Sequence, residues 1–119
     1  MTEIQNKPYN LEKRTLAFSL EIIRFCRKLP KDIINRKLVE QLVDAATSVG
    51  ATYRKANEAL SKKDFTYRLR VTRKECKESS YWLELLKDEN HVNHKDIEVL
   101  SMESQELRNI FTSIIEKVK

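Results

Sequence analysis

The sequence predicts an all-α protein, an up-down-up-down antiparallel four-helix bundle, on three observations. The 119 residues hold one glycine and two prolines, too few turn formers for a sheet with its many reversals. Apolar residues recur at helical spacing in four separate segments, and no run alternates with period two. The connections between those segments are short, which makes consecutive helices antiparallel neighbours. The length fits one domain around one core, placed at residues 11–119 behind a polar arm at residues 1–10.

The first helix is predicted over residues 11–29. Phe18, Ile22, Phe25 and Leu29 follow the i, i+4, i+7, i+11 spacing of one face, and Pro30 pushes the preceding residue out of helical geometry. Leu16, Leu20 and Ile23 fall on the opposite side. A helix apolar on two sides needs two partners, so these three are assigned to contact with a neighbouring subunit. Asp32 is the expected N-cap of a second helix over residues 33–60, with Leu38, Leu42, Ala45, Val49, Ala56 and Leu60 in phase. Beside that stripe Ala46 and Gly50 are small enough to admit a neighbouring helix at close range. Ser61-Lys-Lys-Asp64 is a helix-start pattern and opens a third helix to about residue 86. Its inward positions are Phe65, Leu69, Thr72, Cys76, Ser79 or Ser80, and Leu83. Residues 87–94 are polar and aperiodic, hence a loop, and a fourth helix over residues 95–118 carries Leu100, Leu107, Phe111, Ile114 and Val118 on one side.

Several function classes lack the residues they need. A di-iron bundle requires Glu-x-x-His on each of two helices, and no such pattern occurs. Glu75 and Glu78 have no histidine beside them, and His91 and His94 share a polar stretch without nearby cysteines, so no metal site is expected. There is no Gly-x-Ser-x-Gly elbow, and a single glycine makes no phosphate-cradling loop, so neither a cofactor nor catalysis is expected. Cys26 and Cys76 sit inside apolar periodic stretches and read as buried free thiols of a cytoplasmic protein. The first ten residues lack the apolar centre of a signal peptide, and no apolar run approaches the roughly 20 residues that cross a bilayer.

Charge is distributed unevenly. Lys and Arg number 23 against 18 Asp and Glu, a net charge of +5. Residues 53–77 hold nine basic and three acidic side chains, a local excess of six that accounts for the whole positive balance. At 100° per residue Lys63, Arg70, Arg73, Lys74 and Lys77 share the outer face of the third helix, with Arg54 and Lys55 just before it. These seven are the candidate contacts to phosphates of RNA or DNA, bound by backbone and shape without base reading. The competing reading is a solvated helix face. Tyr81 continues the same face. Trp82 lies toward the edge of the inner face and fits either the core or, with Val71 on the same flank, a subunit contact.

The runs Ser48-Val-Gly-Ala-Thr-Tyr-Arg-Lys-Ala56, Ser61-Lys-Lys-Asp-Phe65 and Lys74-Glu-Cys-Lys-Glu-Ser-Ser-Tyr-Trp-Leu-Glu-Leu-Leu86 carry a family resemblance. They resemble the bacterial four-helix bundle family labelled S23 ribosomal protein, some of whose members are encoded in intervening sequences of large-subunit ribosomal RNA genes. The resemblance implies a ring-forming bundle, typically a homopentamer, with no defined catalytic site. The related accessory proteins of diversity-generating retroelements imply nucleic acid, and a reverse transcriptase or another protein, as partners. This sequence departs at Thr52, where Asn is common, and at Lys55, where Glu is common; the second change makes the junction more basic. The expectation is therefore a non-catalytic oligomer that binds RNA or DNA through basic helix faces. The alternative is a protein-interaction scaffold without a nucleic-acid role.

Overall fold

Each helix starts and stops where its local chemistry dictates. In the computed structural model, which describes residues 10–91 and 94–118, α1 spans Leu11–Arg27, α2 Ile33–Asn57, α3 Lys62–Glu89 and α4 His94–Val118. The predicted N-terminal arm, apart from Asn10, lies outside the described residues. After α1 the amides of Lys28 and Leu29 close tight turns on the carbonyls of Phe25 and Cys26, and Pro30 follows. Asp32 caps α2 by accepting the Asn35 amide at 2.8 Å, and Ser61 caps α3 by accepting that of Asp64 at 3.0 Å. Both caps are as predicted.

Two helix ends and one apolar stripe need correction. Leu60 is not part of the second stripe: α2 ends at Asn57, and Leu60 is 100% exposed. The chain has to leave helical geometry before the extended backbone of Ser61 can start the next cap. The third helix runs past residue 86 to Glu89, so Lys87, Asp88 and Glu89 form its last turn, with Lys87 paired to Glu98 of α4 at 3.5 Å. Of the predicted loop, Val92 and Asn93 lie outside the described residues. In α4, Ile115 is buried with Ile97, Leu100, Ser104, Leu107 and Phe111, while Ile114 packs at the margin. A straight helix keeps 3.6-residue phase, and Ile97 and Ser104 rotate the centre of the stripe toward Ile115.

Cross-helix contacts run in opposite numerical order in every neighbouring pair, which makes each pair antiparallel. Between α1 and α2, Glu12 meets Arg54 at 3.6 Å and Ser19 Oγ donates to the Ala46 carbonyl at 3.1 Å. Between α3 and α4, Arg73 meets Thr112, Ser80 meets Ser104, and Lys87 meets Glu98. Between α1 and α4, Arg14 holds Glu103 at 2.8 Å and Lys28 reaches Asp96 at 3.4 Å. The start of α2 is joined to the end of α3 by a buried amide pair, Asn35 and Asn90. The helices form a four-cornered bundle in which, among the described residues, the diagonal pairs α1–α3 and α2–α4 bring no Cα atoms within 8 Å of each other, although side chains meet across the middle, as Tyr53 of α2 and Phe111 of α4 do.

The core contains hydroxyls as well as hydrocarbon. Thr15, Thr72 and Ser79 are fully buried and donate to the carbonyls of Leu11, Arg68 and Glu75, four residues back, so no cost of an unmade hydrogen bond remains. Gly50 explains itself here: a Cβ at that position would stand 3.2 Å from Thr15 Oγ1, so glycine lets α1 and α2 approach closely.

Candidate nucleic-acid interface

The 28 residues of α3 span about 42 Å at 1.5 Å per residue, close to the 44 Å long axis of the molecule. Leu69, Thr72, Cys76, Ser79, Leu83 and Leu86 take its inner side. Helical phase then forces the residues between them outward. Arg70, Arg73, Lys74, Lys77, Glu78 and Tyr81 line one shallow groove of about 370 Å³ on that outer side. Lys63 lies seven residues before Arg70, two turns and about 10 Å along the same side.

What distinguishes this face is the gathering, along one helix, of cations that form no ion pair among the described residues. Lys63, Arg70, Lys74 and Lys77 take no part in the ion pairs found among the described residues. Arg14, Arg54 and Arg68 are held by Glu103 and Glu106, by Glu12 and by Asp64, whereas Arg27, Arg36, Lys37 and Lys62 form no ion pair among the described residues either but are not gathered into such a row on α3. The hydrogen bonds that Arg14 donates to Glu103, and further those to Glu106, push its guanidinium above its already high value against the opposing effect of burial.

Of the seven predicted contacts, α3 gathers five. Arg73 is the least free of these, half-buried with its guanidinium donating to Thr112 Oγ1 at 3.4 Å in the seam with α4. Arg54 is drawn by its ion pair with Glu12 toward α1, the corner diagonal to α3, and so away from the α3 face. Lys55 is exposed in the last turn of α2, at the same end of the bundle as Lys63. Tyr67 was missed. It is 62% exposed on α3, and its fourteen-residue spacing from Tyr81, near four full turns, was the available signal. Tyr81 is 55% exposed and meets Trp82 edge-on, with ring centroids 4.9 Å apart.

The predicted subunit contacts do not form one patch. Leu16 and Leu20 are exposed on α1 at 49% and 39%, and Ile23 is half-buried beside them. Trp82 is half-buried against the core from α3, the corner diagonal to α1.

Both cysteines are buried and unbridged. Burial pushes the Cys26 thiol up to about 11 and the Cys76 thiol to about 12, which leaves almost no thiolate at neutral pH and hence no nucleophile at either position. Among the described residues no three acidic, histidine or cysteine side chains converge as metal ligands, and no helix is long and apolar enough to cross a membrane.

Glu75 sits half-buried between α2 and α3. Burial first, then the Glu78 carboxylate and more weakly Asp44 of α2, raise its pKa above the ordinary range, while Lys74 pulls the other way. A carboxyl whose folded pKa is raised destabilises the fold as pH rises through that pKa, and costs nothing below the unfolded value. Glu75→Gln is therefore expected to stabilise the protein at pH 7 by about 0.2–0.5 kcal/mol, the size of a like-charge pair on a helix. The gain should vanish below about pH 4. Urea denaturation at both pH values checks this, and equal stability at pH 7 would contradict it.

The fold and surface define a class: an all-α four-helix bundle with one strongly cationic helix face. Residues 8–113 match the family model for 23S rRNA-intervening sequence protein, and the chain belongs to that family. A crystal structure of a protein of unknown function from the S23 ribosomal protein family of Bacteroides thetaiotaomicron is 28% identical and superposes with a TM-score of 0.78. The similarity covers 87% of this chain and 96% of that one. No match is found among curated proteins.

Proposed function

We propose that this protein is a non-catalytic, cytoplasmic helical bundle that assembles as a homopentamer and binds RNA or DNA without sequence preference through the outer face of α3. The observation that carries the reading is the row Lys63, Arg70, Lys74 and Lys77, exposed on one face and without a carboxylate partner. A phosphate polymer supplies regularly spaced partners for such a row, and binding is driven by counterion release. Assembly is supported by the exposed Leu16 and Leu20, whose apolar area a second copy would remove from water.

Fluorescence anisotropy with labelled RNA and DNA across a salt series tests the binding. Arg70→Glu with Lys74→Glu is expected to weaken it about tenfold or more and to flatten the salt slope by about 2. Tight binding indifferent to salt and to this double variant would overturn the assignment. Sedimentation equilibrium tests the assembly, with a five-copy mass expected and a monomer at high concentration contradicting it.

A scaffold reading has one observation in its favour. Val99 and Met102, the latter 70% exposed, line a groove of about 560 Å³ between α1 and α4. That reading requires no salt-dependent retention of nucleic acid.

A further inference from the structure

The outer face of α3 carries two exposed aromatic rings that phosphate contact leaves unused. Tyr67 and Tyr81 are 62% and 55% exposed, although tyrosine gains from burying its ring. Fourteen residues separate them, so they stand about 21 Å apart along the helix and within about 40° of the same direction. Arg70, Lys74 and Lys77 lie between them, and Lys63 lies one turn before Tyr67. The order along the face is cation, ring, three cations, ring. Among the described residues neither tyrosine hydroxyl has a hydrogen-bond partner, so no polar contact within the fold accounts for where these rings stand. Tyr81 is also steadied by its edge-on contact with Trp82, whose indole packs against the core. A ring already held in place loses little freedom when another ring stacks on it.

From this juxtaposition we infer that the α3 face selects single-stranded over double-stranded nucleic acid, with unpaired bases stacking on Tyr67 and Tyr81 while Arg70, Lys74 and Lys77 track the connecting phosphates. A duplex keeps its bases inside its own stack and presents only backbone to a convex helix, so the two rings gain nothing from it. A single strand exposes π-faces and phosphates together, and stacking on an aromatic side chain tolerates every base. Glu78, the one carboxylate lining the groove, sits between Lys77 and Tyr81 and faces the same strand. Arg70, Arg73, Lys74 and Lys77 outnumber it four to one, so the groove stays attractive to phosphate.

The inference rests on the proposed nucleic-acid function, and the experiment keeps the two apart. Anisotropy is measured with a labelled, unstructured strand of about 12 nucleotides and with the same strand annealed to its complement, as RNA and as DNA, at one salt concentration. The strand is expected to bind at least about tenfold more tightly than the duplex. Tyr67→Ala with Tyr81→Ala should bring the strand down to the level of the duplex and leave the duplex unchanged, whereas Tyr67→Phe with Tyr81→Phe should retain the preference. Both positions are exposed, and circular dichroism confirms that each variant keeps its helices. Equal affinity for strand and duplex, or a strand preference that survives the double alanine variant, overturns the inference while leaving the phosphate-binding face intact. Failure of both probes to bind overturns the two together.

Discussion

Phe111→Ala is expected to lower folding stability by about 3–5 kcal/mol, the largest loss from any single truncation in this bundle. Phe111 is fully buried in α4 and is the bulkiest of the completely enclosed side chains. It faces Tyr53 of α2 across the bundle, with ring centroids 5.4 Å apart and planes tilted by 45°. Truncation removes the transfer free energy of the ring and leaves a void that the helices around it can only partly close. In a chain of this length the melting temperature should fall by roughly 12–20 °C. Thermal and urea unfolding measure it directly. A loss below about 1 kcal/mol would mean that α2 and α4 do not meet through this residue.

The second large effect belongs to the Asn35–Asn90 pair. Each amide nitrogen donates to the other's carbonyl oxygen at 2.9 Å, and the remaining hydrogens go to the Pro30 and Leu86 carbonyls at 3.0 Å. Both residues are buried, so the pair ties the turn between α1 and α2 to the end of α3 with no polar atom left over. Asn90→Leu leaves the Asn35 carbonyl oxygen and one N–H without partners inside the protein. Each orphaned group costs about 1–3 kcal/mol, so a total of about 2–6 kcal/mol is expected. Combining Asn35→Leu with Asn90→Leu removes both orphans, and the double variant should be more stable than the sum of the two single losses predicts. Strict additivity of the singles would show that the amides are not coupled.

The parts of the fold that follow from local chemistry were legible in the sequence. Asp32 and Ser61 were readable as caps because a cap needs only its own side chain and an amide three residues on. The inner faces of α1 and α3 were readable because helical phase places Phe18, Ile22, Leu69 and Cys76 without knowledge of the partner. Leu60 was misread because an apolar phase continues across a helix end and carries no signal of where the chain turns. The Asn35–Asn90 pair, 55 residues apart, was invisible because neither amide has a local reason to be buried. At the basic face the division runs the same way. Phase gathered Lys63, Arg70, Lys74 and Lys77, but the withdrawal of Arg54 toward Glu12 depends on which helix packs beside α2. Tyr67 was within reach of the sequence and needed only its spacing from Tyr81 to be read.

The corner positions of α1 and α3 have a consequence for how the molecule can be used. Because these two helices stand at diagonal corners, with no Cα atoms within 8 Å of each other among the described residues, a partner seated on the leucines of α1 leaves the cations of α3 wet. The proposed assembly surface and the proposed phosphate-binding surface therefore do not compete for space. In the proposed assembly each copy joined through α1 would add another tether along the same polymer, and weak individual holds would multiply into slow release.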